Sequence, residues 1–152
     1  MLREPFAAAS ALSHLRFMGA GKKNSRGEKM TYVDGFVIPV SRRKLAAYRK
    51  MAAAGAKAWK KHGALEYFEC AGDDLSPKMP GMKVVKFTTL AKAKPGETVV
   101  FSFIVYKSKA HRNAVNKKVM KEMDEMMKEQ PQKMPFDMKR MAYGGFKTIA
   151  QA

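Results

Sequence analysis

The run VVFSFIVY, residues 99–106, is apolar on both sides of any strand that it forms. Its one polar residue is Ser102, and because side chains alternate along a strand, each face carries several large apolar groups. A sheet with one face in water alternates apolar and polar residues instead. Burial of a large apolar side chain contributes about 1.5–3 kcal/mol, so we expect both faces of this sheet to be covered.

This strand belongs to a β-α-β pattern that occurs twice. In the first half, a helix with Ser41 as its predicted N-cap and Gly63 as its terminal glycine is flanked by two β-rich segments, TYVDGFVIPV (31–40) and ALEYFECA (64–71). In the second half, Ser108 is the predicted cap of a helix over residues 109–129, and the flanking strands are ETVVFSFIVYK (97–107) and MKRMAYGGFKTI (138–149).

Helical spacing of apolar residues predicts which side of each helix is packed. In the first helix the packed positions are Leu45, Tyr48, Ala52, Gly55 and Trp59. In the second helix they are His111, Val115, Val119, Met123 and Met126. The connection over residues 72–96 is rich in Pro and Gly, with a possible short strand near residues 83–88.

Together these elements predict an α+β domain of ferredoxin-like βαββαβ topology. Its sheet is antiparallel, with the first and third strands in the centre. Two helices can cover one face only. We expect a second copy of the chain to cover the other face, which gives a face-to-face dimeric α/β barrel. The alternative is that residues 72–96 fold back over it.

Several long motifs resemble the YbaA-like bacterial proteins, a family of uncharacterised function within the dimeric α/β-barrel superfamily. They are TYVDGFVIPV, HGALEY, VVFSFIVYKSKAHRNAVN, MPFD and KRMAYGGFKT, and the similarity covers about residues 30–149. The resemblance implies the ferredoxin-like fold and a homodimer, and it implies no established activity. The chain departs from the family pattern at Phe103, at Met138 and in the connection around residues 76–94.

The first 29 residues have no sustained periodicity. GKKNSRGEK, just before Met30, is typical of a solvated linker. We therefore expect residues 1–29 to be a disordered or non-native extension and residues 30–152 to form a single domain, with Met30 as the natural start. The alternative for the extension is a short targeting peptide.

Composition limits the partners and the compartment. The formal net charge is +17, which attracts nucleic acids and acidic metabolites. No apolar run approaches the roughly 20 residues that cross a bilayer, so no membrane partner is expected. The single cysteine, Cys70, excludes an intrachain disulfide and fits a reducing compartment. We expect a cytoplasmic protein.

Asp34 is the first candidate for chemistry, because it is a charge within an apolar strand. We expect it to share a face with Phe101 and Phe103 and so to point between two sheets, where burial suits acid–base chemistry. The alternative is a structural carboxylate that pairs with Tyr67, Arg140 or backbone N–H groups.

Other candidates cluster by predicted position. His111 and Arg112 open the second helix, where cations at a helix N-terminus can form an anion site. The candidate catalytic residues are Asp34, His111 and Tyr67, and the candidate ligand-binding residues are Arg112, Ser102, Glu69, Arg140 and Tyr143. The glycine pair after Tyr143 indicates a bulge or a close backbone approach.

No metal-ligand spacing and no phosphate-binding loop occurs in the sequence, so we expect no metal and no cofactor. The leading hypothesis is a cytoplasmic homodimer that binds a small molecule, which could be anionic, with cofactor-independent proton transfer if it is an enzyme.

The alternative hypothesis is nucleic-acid binding, to RNA in particular. The first helix has no acidic residue between Ser41 and His62, and its basic residues gather on the side away from the apolar face. Those candidates are Arg42, Arg43, Arg49, Lys50, Lys57 and Lys60. A solvated basic face is the simpler interpretation.

Overall fold

The computed structural model describes residues 30–152, so the expectations for residues 1–29 lie outside the described residues. Four antiparallel strands form one sheet in the order β2-β3-β1-β4. The strands are β1 (Tyr32–Ser41), β2 (Glu66–Ala71), β3 (Glu97–Tyr106) and β4 (Ala142–Lys147). The helices are α1 (Leu45–Lys61), the short α2 (Phe87–Leu90) and α3 (Lys109–Glu129). With β1 and β3 central, the ferredoxin-like prediction is confirmed.

The ends of the two long helices differ in how they are capped. Ser108 caps α3, because its Oγ accepts a hydrogen bond from the His111 N–H at 3.1 Å. Ser41 makes no such bond; it ends β1, and a 3₁₀ turn over Arg42–Lys44 precedes α1, so that predicted cap is wrong. Gly63 has φ of 110°, the left-handed conformation expected of a glycine after a helix.

The core lies between the sheet and the helices α1 and α3. Alternate residues of β1 and β3 face the helices, among them Val40 and Tyr106, which are fully buried. Val115 and Val119 of α3 pack with Tyr106, whereas Val40 packs with Tyr48 and Ala52 of α1. The predicted packed face of α1 is confirmed, since its residues are buried or half-buried. On α3 the prediction is wrong at Met126, which is 55% exposed, because the packed side of the helix ends near Met123.

The other side of the sheet, which we call the second face, is partly covered by residues 72–96. The Phe87 ring packs against Phe101 with centroids 6.1 Å apart. The Gly72 N–H, which donates to the Val99 carbonyl at 2.8 Å, continues the β2–β3 ladder by one residue before the chain leaves the sheet. The predicted short strand is wrong, because the backbone hydrogen bonds near residue 87 join residues close in sequence and form the helix α2. Despite this cover, large apolar side chains of the second face remain exposed, namely Phe68, Phe101 and Phe146.

Within residues 30–152, no helix combines the length and the apolar character needed to cross a membrane.

Candidate functional site

Asp34 points toward the helices and not toward the second face. In the register of β1 and β3, Asp34 lies opposite Ile104, and opposed residues of an antiparallel pair point to the same side. The expectation that it shares a face with Phe101 and Phe103 is therefore wrong. The physical reason is register: a shift of one residue moves every side chain of a strand to the other face.

The Asp34 carboxylate is completely buried and is held by α3. Asn116 Nδ2 donates to Asp34 Oδ2 at 3.2 Å. Arg112 Nε lies 3.5 Å from Asp34 Oδ1, which makes an ion pair, yet neither of these two atoms has a hydrogen-bond partner. The expectation that Tyr67 or Arg140 pairs with Asp34 is wrong.

Asn116 fixes this geometry because it bonds to Asp34 and to two further side chains. Its Oδ1 accepts from Trp59 Nε1 at 3.0 Å and from the Tyr106 hydroxyl at 2.8 Å. Because an amide oxygen only accepts and its nitrogen only donates, the two donors leave Nδ2 directed at Asp34. Burial raises the pKa of Tyr106, and the Asp34 charge raises it further, so Tyr106 stays a donor.

Arg112 connects Asp34 to two phenols. Arg112 Nη2 donates to the Tyr32 hydroxyl at 3.2 Å and Nη1 donates to the Tyr143 hydroxyl at 3.3 Å. Burial acts to lower the pKa of Arg112, but the Tyr32 hydroxyl and the Asp34 charge outweigh it and the pKa is raised. The guanidinium also lies over the Tyr32 ring, 5.2 Å from its centroid. Five residues form what we call the Asp34 cluster, namely Asp34, Arg112, Asn116, Tyr32 and Tyr143.

Gly145 makes room for this arrangement. It lies opposite Asp34 in β4, and a Cβ at this position would overlap the Tyr32 hydroxyl. The close approach predicted from the glycine pair is therefore present, and the neighbour is a side chain of the same chain. Tyr143 is 50% exposed at this edge of the sheet, and burial raises its pKa, as does Asp34 beside it.

The other predicted pair, Tyr67 and Glu69, forms a separate group. Tyr67 lies in the same cross-strand row as Asp34 but two strands away, about 10 Å at the usual strand spacing. The Tyr67 and Tyr48 hydroxyls each donate to Glu69 at 2.8 Å. Burial raises the pKa of both phenols, with Glu69 as the next cause. Ser102, buried on the same face, lies opposite Glu69.

His111 and Arg140 lie outside the Asp34 cluster. His111 Nδ1 accepts from the Lys107 N–H at 3.1 Å and so stabilises the turn into α3. Arg140 donates to both Glu97 oxygens, at 2.7 and 2.8 Å. These bonds, the Lys94 N–H and the Arg140 charge together lower the pKa of Glu97 to about 2.

The basic candidates of the first helix are all exposed, as predicted: Arg42, Arg43, Arg49, Lys50, Lys57 and Lys60. Their exposure shows that they are available to a partner and assigns none. Within residues 30–152, no group of three or more His, Cys, Asp or Glu side chains is placed to hold a metal ion.

Sequence reasoning missed four members of the hydrogen-bonded network: Tyr32, Asn116, and Trp59 and Tyr106 as donors to Asn116. A signal existed for Tyr32, because residues i and i+2 of a strand share a face and Tyr32 precedes Asp34 by two. Asn116 follows Arg112 by four residues on a helix, so these polar residues lie side by side. Neither spacing indicated that both would meet Asp34.

Residues 31–138 match the family described as "Protein of unknown function (DUF1428)". The chain belongs to this family. It is 49% identical over 120 residues to the uncharacterized protein YbaA of Escherichia coli strain K12 and, equally, to that of Shigella flexneri, covering 79% of this chain and 97% of each relative. The predicted family is confirmed.

Among solved structures, a dimeric ferredoxin-like protein from an uncultured marine organism is similar with a TM-score of 0.42 and 10% identity, over 81% of this chain and 99% of that chain. A de novo designed protein is similar with a TM-score of 0.36 and 12% identity, over 80% of this chain and 99% of that one. The ferredoxin-like assignment rests on the strand order of this chain.

Proposed function

We propose that this protein is a cytoplasmic homodimer in which the Asp34 cluster binds a small molecule and exchanges a proton with it. The observation that carries the proposal is Asp34 Oδ1, a fully buried oxygen that accepts no hydrogen bond and whose ion-pair partner, Arg112 Nε, lies 3.5 Å away. An unsatisfied buried acceptor costs roughly 1–3 kcal/mol, and more if it is charged. A purely structural carboxylate would have both oxygens bonded, as Glu69 has.

The dimer is supported by the second face. Phe146 and Phe101 are 61% and 43% exposed there, and exposed aromatic side chains on one surface are typical of an interface. The strand residues on this face include no Lys or Arg, although the chain carries a net charge of +17. The strand residues of two copies can therefore meet at the second face without placing like positive charges in contact, which favours a second copy as the partner.

The single tryptophan supplies a test of the site. Trp59 donates to Asn116, which donates to Asp34, so a molecule bound at Asp34 should change the tryptophan emission. We expect protein purified from its own cells to retain a small molecule in native mass spectrometry, and its removal by dialysis to shift the emission. The isosteric variant Asp34→Asn should retain none.

Equal retention by wild type and Asp34→Asn would show that the molecule binds elsewhere. The absence of a retained molecule, together with no change of emission when the small-molecule fraction of a cell extract is added, would contradict the proposed binding. Asp124→Asn makes the same chemical change at an exposed position of α3 and is the control.

The second candidate function, nucleic-acid binding, is favoured by the exposed basic residues of α1 alone. Phosphate contacts weaken steeply with salt. A mobility shift with random-sequence RNA that persists at about 150 mM salt and is reduced by Arg49→Ala with Lys50→Ala would support it. Loss of the shift at that salt concentration would rule out nucleic-acid binding as the function.

A further inference from the structure

We propose that the molecule bound by the Asp34 cluster is a small carbonyl compound, whose oxygen lies against the Tyr32 and Tyr143 hydroxyls while Asp34 Oδ1 accepts a proton from the adjacent carbon. This inference rests on the proposed function and names its substrate class. It depends on how the hydrogen-bond donors and acceptors around Arg112 are shared.

The two phenols form the donor side of the site. Each phenol oxygen already accepts one N–H of Arg112, so each O–H hydrogen is directed away from the guanidinium. The O–H of Tyr143 has the Asp34 carboxylate beside it in the resting protein. A hydrogen bond accepted from a cation strengthens a phenol as a donor, because hydrogen bonds in a chain polarise one another. At Tyr143 the Arg112 charge opposes burial and the Asp34 charge, which raise the pKa overall. Tyr32 and Tyr143 are therefore suited to stabilise an oxygen on which negative charge develops.

Asp34 forms the acceptor side. Asn116 occupies Oδ2, which leaves Oδ1 as the oxygen without a bond. That oxygen lies 3.5 Å from the same guanidinium that holds the two phenols. A base and a pair of donors arranged around one cation fit a molecule that loses a proton from carbon while its oxygen gains charge.

The step balances without a further reactant. The C–H bond next to the carbonyl breaks, and its proton goes to Asp34 Oδ1. The electron pair forms a C=C bond, and the carbonyl oxygen becomes an enolate oxygen that accepts from the Tyr32 and Tyr143 O–H groups. Asp34 then returns the proton to carbon, so the net result is proton exchange or isomerisation.

Tyr143 controls access to this acceptor. Asp34 is fully buried, whereas Tyr143 is half-exposed on the edge strand β4. The Tyr143 ring stacks on Phe36 with centroids 4.8 Å apart. A small ligand therefore enters at the β4 edge while this ring moves aside, and the Tyr143 hydroxyl donates to the ligand after the ring has returned.

Hydrogen–deuterium exchange at carbon tests the inference directly. Phenylpyruvate, which is anionic, and 2-indanone, which is neutral, are incubated with the protein in D2O, and loss of their α-proton signals is followed by NMR. We expect exchange at least tenfold faster than in buffer with one or both probes. Asp34→Asn should reduce the excess rate at least tenfold, and Tyr143→Phe, which removes one donor, should reduce it several-fold.

A matched control and a folding check accompany these variants. Asp124→Asn changes an exposed carboxylate of α3 in the same way and should leave the exchange rate unchanged. Tyr143→Phe alters only the hydroxyl of a half-exposed side chain, so it keeps the test decisive if Asp34→Asn does not fold.

The outcomes separate this inference from the proposed function. Exchange at the buffer rate, together with a change of Trp59 emission on adding the probes, overturns the carbonyl chemistry and leaves the binding site in place. Exchange that persists in Asp34→Asn assigns the proton transfer to another group and also overturns it. If the probes show neither exchange nor a change of emission, the carbonyl class is overturned. Binding at the site is then tested only by the molecule retained from native cells.

Discussion

The two faces of the sheet carry different kinds of residues. The helix-covered face buries three polar side chains, Asp34, Thr98 and Ser102. The second face presents aromatic and aliphatic side chains. The difference follows from what each face meets, because helix α3 brings Arg112 and Asn116 to bond a buried carboxylate. In the proposed dimer the second face meets another apolar sheet, which offers no such partners, so apolar groups are buried there instead.

The largest expected effect is on the second face. Phe101→Lys would place a charge in the proposed contact between two copies, where an unpaired buried charge costs several kcal/mol. We expect the dimer Kd to rise 100-fold or more, measured by sedimentation equilibrium. Met126→Lys adds the same charge at an exposed position of α3 and should leave the dimer intact. If the wild-type protein is a monomer, the second face is not an interface and the comparison between the faces fails.

A substitution on the helix-covered face should lower the stability of the monomer. Asn116→Leu removes the partner of Trp59 Nε1, the Tyr106 hydroxyl and Asp34 Oδ2. Buried groups left unpaired cost roughly 1–3 kcal/mol each, so we expect a loss of about 3 kcal/mol or more in the free energy of unfolding in urea.

Asn113→Leu, at an exposed position of the same helix, is the control for Asn116→Leu and should change stability by less than about 0.5 kcal/mol. Equal losses in the two variants would show that the Asn116 bonds contribute little.

Two substitutions at adjacent glycines of β4 compare the two faces of the sheet. Gly145→Ala forces the Tyr32 hydroxyl to move, since the added Cβ would overlap it. We expect a loss of about 1–2 kcal/mol, as is typical of overpacking. Gly144→Ala adds a Cβ in ordinary contact, 3.5 Å from the Phe146 ring, and should cost less. Thermal unfolding of both variants measures the difference, and the reverse order would contradict the packing over Gly145.

The smallest effect concerns pH. Arg140 and the Lys94 N–H lower the pKa of Glu97 from 4.5 to about 2. A carboxylate with a lowered folded-state pKa stabilises the fold above its unfolded pKa, and that stability is lost as pH falls through the folded pKa. Glu97→Gln should therefore destabilise the protein at pH 6, and the difference from wild type should shrink between pH 4.5 and 2 in urea titrations. A difference that is constant over this range would show that the ion pair does not stabilise the fold.

Much of the fold was predictable because it depends on local patterns. The caps and the helical spacing around Ser108 and Val115 depend on residues a few positions apart, and they predicted α3 over the residues observed. The prediction was wrong where a tertiary contact decides, as at Met126, where the sheet no longer covers the helix.

The Asp34 cluster was predictable only in part. A charge in an apolar strand marked Asp34, and the start of the second helix marked Arg112. Nothing in the local pattern indicated that Arg140 would bind Glu97 or that Tyr67 would bind Glu69 rather than Asp34. Each of these pairs depends on which strand lies beside which and in what register.

The sequence by itself determined the order of elements, the family and a central strand that is apolar on both faces, since each of these is written in residues close together in the chain. The tertiary structure alone decided which way Asp34 points and what it meets. A period of two groups the side chains of one strand into faces but does not relate them to another strand. The partner Asn116 lies 82 residues away, so only the packing of α3 on the sheet brings them together.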